Sequence, residues 1–202
     1  MLKTLELNEL ELDLLTELFN LGVGNAANSL STMVKQEIEL SVPEIRFIKQ
    51  HELARAIGHQ NSICSISQNM SGPFSAQSML LFPEDNSLEV VRQLLGTDLP
   101  DDTVLELQKE ALSEIGNIVL NACISTFSNA IQEEFKVDLP EFERSMPVDL
   151  FSRSAEQNGT ALFIRISMKL SKSHISCYMA FLMGELSLQL LKKVLEKTIS
   201  KL

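Results

Sequence analysis

One four-residue pattern occurs twice in this chain, and it limits the possible folds more than any other feature. Asp13, Glu17, Asn20 and Pro43 recur at the same spacings as Glu110, Glu114, Asn117 and Pro140, each shifted by 97 residues (13 to 110, 20 to 117). The flanking segments repeat as well, in the order helix, extended segments, short helix. A chain of 202 residues made of two such copies is long enough to bury a substantial core. It contains no Gly/Ser/Pro linker that would let the copies move freely. We therefore expect a single domain over residues 1–202, made of two intimately joined halves at about 8–96 and 101–198, with one continuous sheet across a pseudo-twofold axis.

The helical and extended periods define the elements. From Asn8 to Gln36 the residues Leu10, Leu14, Leu18, Leu21, Ala26, Leu30, Met33 and Val34 recur at spacings of three and four, which predicts one amphipathic helix. Asn8 suits its N-cap, and Glu9 and Glu11 suit its first turn. Gly22 and Gly24 each weaken a helix by roughly 1 kcal/mol relative to Ala, so both predict close packing against a neighbouring helix. Strands are expected at Val42–Ile48, with Pro43 near the start, and at Ile63–Asn69. A third is expected at Phe74–Phe82, after a Ser71-Gly72-Pro73 turn. A short helix Leu88–Leu95 follows, capped by Asn86-Ser87 and ended by Gly96.

The second copy predicts a long helix from Asp101 to about Phe135 and strands near Leu139–Glu143, Thr160–Leu170 and His174–Met183. Its last helix is expected at Leu186–Lys197; Ser87–Leu95 reads like Ser187–Leu195, with Met79 and Met179 in the same register. The fold class is α+β: a pseudo-twofold duplicated helix-strands-helix module, with a mostly antiparallel continuous sheet and two long helices packed on it.

Charge and cysteine usage narrow the function. Seventeen Lys and Arg against 27 Asp and Glu give a formal charge of −10, which disfavours nucleic acid or an anionic membrane and suits a protein or a small cationic group. Cys64, Cys123 and Cys177 are isolated in apolar runs and read as reduced, buried thiols of a cytoplasmic protein. No C-x-x-C or H-x-x-x-H cluster is present to hold a metal. His51, His59 and His174 are scattered. Acids appear by Glu6, Glu9 and Glu11 with no basic, then apolar, stretch before them, so no secretory signal is expected, and no run approaches the ~18 apolar residues of a membrane span. Gly22-x-Gly24-x-x-Ala27 has the form of a dinucleotide fingerprint but lies inside a helix rather than after a strand, so no cofactor is expected there.

Within each long helix the Glu and Asn stand three apart and the preceding acid four before the Glu, so all three project from one face. A single E-x-x-N means little on a solvated helix. Two, in equivalent helices with a proline at the same distance, mark a small polar site kept twice. An exposed Asn also serves a helix poorly, so its replacement by Ala is expected to be neutral or mildly stabilising.

These residues resemble a known family. Glu17-Leu18-Phe19-Asn20-Leu21-Gly22-Val23-Gly24-Asn25-Ala26-Ala27 and Glu114-Ile115-Gly116-Asn117-Ile118, each with its later proline, are similar to the CheC/CheX/FliY phosphatases of chemotaxis. That family's pattern is Asp or Ser, three residues, Glu, two residues, Asn, twenty-two residues, Pro. Two sites without a further flagellar-switch domain resemble its CheC-type branch. The resemblance implies hydrolysis of the aspartyl phosphate on a CheY-type response regulator. Asn20 and Asn117 would position the attacking water, and Glu17 and Glu114 would anchor the regulator's lysine.

No cofactor is then expected on this chain, because Mg²⁺ resides on the regulator. Asp13, Glu110, Pro43 and Pro140 support the motif. Glu110, one methylene longer than Asp13, departs from the pattern, and Phe19, where the second copy has Gly116, is expected to alter docking beside Asn20. The competing reading is a non-catalytic adaptor that binds a CheD-type deamidase or a flagellar switch component. Two intact Glu/Asn pairs favour the enzyme.

Overall fold

The computed structural model describes residues 7–58, 61–95, 100–153, 159–170 and 173–201; Gly96 and His59 lie outside the described residues. The first helix, α1, spans Glu9–Val34. Asn8 Oδ1 accepts from the N–H of Glu11 at 3.0 Å, and the Glu11 carboxylate accepts from the N–H of Asn8 at 2.8 Å. This capping box satisfies two donors that a helix start leaves free. After α1 come β1 (Ile38–Lys49), a 3₁₀ turn (Gln50–Glu52), α2 (Leu53–Ile57), β2 (Ile63–Ser71), β3 (Ala76–Pro83) and α3 (Glu84–Leu95). The second copy runs α4 (Asp101–Ile131), β4 (Lys136–Val137), β5 (Glu141–Ser145), α5 (Pro147–Ser152), β6 (Thr160–Leu170), β7 (Ser173–Met183) and α6 (Glu185–Ile199).

The class is the expected α+β, with one antiparallel seven-stranded sheet under the long helices. Its order is β1-β6-β7-β3-β2-β4, with β5 also on β2. β3 and β7 meet in the middle, each from a different copy. The first strand of each copy crosses over: β1 lies on β6, while β4 and β5 lie on β2. Neither hairpin is therefore flanked by the first strand of its own copy, and the copies complete each other's sheet.

One face of the sheet carries the main core, where Ile66, Leu80, Phe82, Ile164 and Met179 pack under α1, α3, α4 and α6. The other face carries a smaller cluster, in which Leu81, Phe163 and Leu182 pack with Leu53 and Phe151 of the short helices α2 and α5. Met79 and Met179, aligned in the sequence, face opposite sides of the sheet and are not equivalent. The ladders show the true correspondence. Met70 pairs with Val137 of the second copy and Met168 with Leu40 of the first, so β2 maps onto β6 with Met70 matching Met168.

Several expectations need correction. β1 begins at Ile38, so Pro43 lies well inside the strand. The helix expected to reach Phe135 ends at Ile131, with Gln132 left-handed at φ 58. β5 starts at Glu141, beyond Leu139. α3 starts at Glu84, so Asn86 and Ser87 are inside it; Asn86 Nδ2 donates to the Ser176 carbonyl at 2.6 Å and Ser87 Oγ to the Glu84 carbonyl at 2.7 Å. The buried stripe of α1 runs through Glu11, Leu15, Leu18, Phe19, Gly22, Val23, Ala26 and Leu30, whereas Leu10, Leu21 and Met33 are exposed. Counting apolar residues at helical spacing found the helix and misplaced its inner face.

The two glycines of α1 also differ. A Cβ on Gly22 would stand 2.8 Å from the Cα of Cys123, so α1 and α4 meet there at backbone distance. Nothing lies within 4 Å of a Cβ on Gly24, contrary to the expected close packing. We predict that Gly22→Ala lowers stability by about 1–3 kcal/mol, because overpacking against backbone outweighs the propensity gain. Gly24→Ala should raise stability by about 0.5–1 kcal/mol. Urea unfolding of the two variants checks this; similar changes in both would contradict the packing.

All three cysteines are buried and unpaired, and burial pushes the Cys123 and Cys177 thiols up to about 12. Among the described residues, no helix is long and apolar enough to cross a membrane.

Candidate functional site

The first site is built where α1 passes the middle of β1. Asp13 and Glu17 are exposed on the helix, and Asn20 is half-buried. A bulge explains the distant proline. β1 pairs with β6 as Ser41 opposite Ser167 and then as Glu44 opposite Arg165, so Val42 and Pro43 together stand opposite Ile166 alone. At this bulge the Val42 N–H donates to Asn20 Oδ1 at 3.2 Å. Pro43, beside it, has no N–H to leave unmet. The interval from Asn to Pro is thus the chain length that returns a bulged strand to the helix. Asn20 is not the free surface amide that the sequence suggested, because its oxygen is held by backbone.

The second site has the same outline and a different support. Glu110 and Glu114 are exposed on α4 and Asn117 is half-buried. Pro140 falls in the break between β4 and β5, where the first copy has its bulge. Asn117 Oδ1 accepts from Asn121 Nδ2 at 2.6 Å, one turn further along α4. Asn121 Oδ1 in turn accepts from Gln68 Nε2 of β2 at 3.1 Å. In both sites the amide oxygen is engaged and the Nδ2 of Asn20 or Asn117 has no partner among the described residues.

The acids share their helix face with apolar side chains. Leu10, Asp13, Glu17 and Leu21 form one stripe, with Leu10 65% and Leu21 54% exposed. Leu107, Glu110, Glu114 and Ile118 repeat it on α4. Among the described residues no cation pairs with Asp13, Glu17, Glu110 or Glu114. The first copy therefore presents unneutralised carboxylates framed by exposed hydrocarbon, and the second presents them beside the half-buried Leu107 and Ile118, each next to an amide held in place. That combination suits a protein partner that brings its own cation.

Phe19 does not alter this surface. Its ring is buried 5.4 Å from that of Phe181, pointing into the core. Gly116, at the same repeat position, lies so close to β2 that a Cβ would come within 2.5 Å of Ile66 Cγ2. The expected effect of Phe19 on docking is replaced by a packing role, since the residue before Asn on each helix faces the sheet. The Val42 amide, Asn121 and Gln68 were missed in the sequence. Asn121, four residues after Asn117 on the same helical face, could have been found there. Gln68 could not, because it lies on a strand of the other copy.

Comparison with known proteins agrees with this fold. The CheC-like family matches residues 10–46, which hold the whole first pattern from Asp13 to Pro43. The CheY-P phosphatase CheC of Bacillus subtilis is 23% identical over 144 residues, covering 69% of this chain and 69% of that protein. Among solved structures, FliY of Thermotoga maritima superposes with a TM-score of 0.75 at 15% identity, covering 96% of this chain and all of that one. A CheX-CheY-BeF3-Mg complex from Borrelia burgdorferi superposes with a TM-score of 0.52 at 17% identity, over 83% of this chain and 97% of that one.

Proposed function

We propose that this chain, which the CheC-like family matches over residues 10–46, is a phosphatase acting on the aspartyl phosphate of a CheY-type response regulator, in chemotaxis or a related two-component pathway of the cytoplasm. The observation that carries the proposal is the doubled arrangement on α1 and α4: an unpaired Glu, and three residues on an Asn whose oxygen is engaged and whose Nδ2 is free.

An acyl phosphate is activated already, so the catalyst need only place a water. Asn20 or Asn117 enters the regulator's site and donates from Nδ2 to that water, holding it in line with the phosphorus. The water oxygen forms the new P–O bond as the bond to the aspartyl oxygen breaks. Inorganic phosphate leaves carrying both of the water's protons, as dihydrogen phosphate, and the aspartate is regenerated as a carboxylate. Glu17 or Glu114 anchors the complex by a charge-assisted bond to the regulator's lysine. Mg²⁺ belongs to the regulator, where it offsets charge on the phosphoryl oxygens.

The adaptor reading, with a CheD-type deamidase or a switch component as partner, needs the docking stripe but neither amide. Phosphate release from a phosphorylated CheY-type regulator, with and without this protein at catalytic amounts, tests the proposal. Accelerated turnover is expected; decay no faster than the regulator's own, with binding intact, would leave the adaptor.

A further inference from the structure

The two sites hold their asparagines by unrelated means, and the second is reached from the core. Gln68 lies on the helix-facing side of β2, is only 3% exposed, and donates to Asn121, which donates to Asn117. Gln68 Oε1 is buried and has no hydrogen-bond partner. A buried glutamine with an unmet oxygen is disfavoured in a core unless its amide serves some purpose.

The first copy lacks this line altogether. Asn121 corresponds to Gly24 by the repeat, and Gln68 corresponds to Ile166 by the matched ladders, two residues before the equivalent Met70 and Met168. There the Val42 backbone does the holding instead.

We propose that Gln68 and Asn121 are positioning residues for Asn117, forming a line of three carboxamides that fixes the rotamer and polarity of its amide; the inference rests on the phosphatase reading above. Each amide gives an N–H to the next, so the line runs one way, and its outer end is Asn117 Nδ2. Accepting at Oδ1 polarises the Asn117 amide and strengthens its N–H as a donor. Without the line, the side chain can rotate about its own bonds and the water loses its alignment. The first site is therefore tuned by the strand bulge and the second by buried side chains, so substitutions can weaken one and spare the other.

The experiment uses full-length protein carrying Asn20→Asp, so that the second site alone is intact, with a phosphorylated CheY-type regulator as substrate. Into it are placed Asn121→Ala and, separately, Gln68→Ile, which copies the residue of the other half and suits a buried strand position. Each is expected to lower kcat roughly tenfold while KM stays within about twofold, because alignment is lost and docking is not. An equal fall when either substitution is placed in an Asn117→Asp chain, whose intact site is the first, would mark a general loss of fold and overturn the proposal. A parent chain no faster than the regulator's own decay overturns the phosphatase reading of this site, and the relay's role with it. An active parent indifferent to both relay substitutions overturns the relay alone.

Discussion

Phosphatase activity is expected to disappear in a chain carrying both Asn20→Asp and Asn117→Asp, leaving the regulator to decay at its own rate, while each single variant keeps the share of the other site. Asp keeps the shape of Asn and still accepts, so the Val42 N–H and Asn121 Nδ2 retain their partners. What it removes is the Nδ2 donor, and it adds a negative charge facing a phosphoryl group. Loss of one preorganised donor to a reacting centre commonly costs about 10²–10³ in rate, and the charge adds to that.

Ala is the poorer probe at the first site. Asn20→Ala leaves the Val42 N–H without its acceptor, which costs about 1–3 kcal/mol and outweighs the helix propensity gained. The expectation that Asn→Ala is neutral therefore fails at Asn20, where a lowered melting temperature should appear in thermal denaturation. Glu17→Gln and Glu114→Gln should act differently, raising KM by about 10–100-fold through loss of a charge-assisted bond worth about 1.5–3 kcal/mol. Full activity in the double Asp variant would remove the asparagines from the chemistry.

Phe19→Ala is expected to destabilise the fold by about 3–5 kcal/mol without changing KM for the regulator at the first site. The ring fills the space between α1 and β7 against Phe181 and lies on the inner side of the helix from Glu17. For a chain of this size such a loss lowers the melting point by roughly 6–20 °C. The reciprocal change, Gly116→Phe, should prevent normal packing, because the first carbon of the side chain would already overlap Ile66, which sits fully buried in the middle of β2. Urea denaturation and regulator affinity, measured on the same preparations, separate packing from docking. A Phe19→Ala protein of ordinary stability but weakened affinity would return Phe19 to the surface role suggested by its place beside Asn20.

The comparison of Phe19 with Gly116 shows where a linear reading loses its way. Position in the repeat is shared, yet the space beneath differs, because the residues below come from strands that pair across the copies. Asn8 as the N-cap was legible, since a cap is closed within four residues, although the return bond from Glu11 that makes it a capping box was not read there. The long helices, the hairpins and the Glu-x2-Asn pairs were legible for the same reason: each is a local period or spacing. Gly22 and Gly24 look alike in the sequence, and their difference exists only where α4 crosses α1. Pro43 shows the intermediate case. Its distance from Asn20 was visible, but the bulge that makes the distance meaningful needs β6 to count against.

Duplication, the α+β class and the identity of the repeated acid, Glu, Asn and Pro follow from order and spacing along the chain, because helix and strand periods and near-neighbour side-chain geometry are local. How each asparagine is held does not follow from them. Val42 reaches Asn20 because a bulge turns one N–H out of the ladder, and Gln68 reaches Asn117 through Asn121 because β2 packs beneath α4. Both contacts join residues far apart in the chain, and a pattern that repeats along the sequence cannot report which partners the exchanged strands bring under each copy.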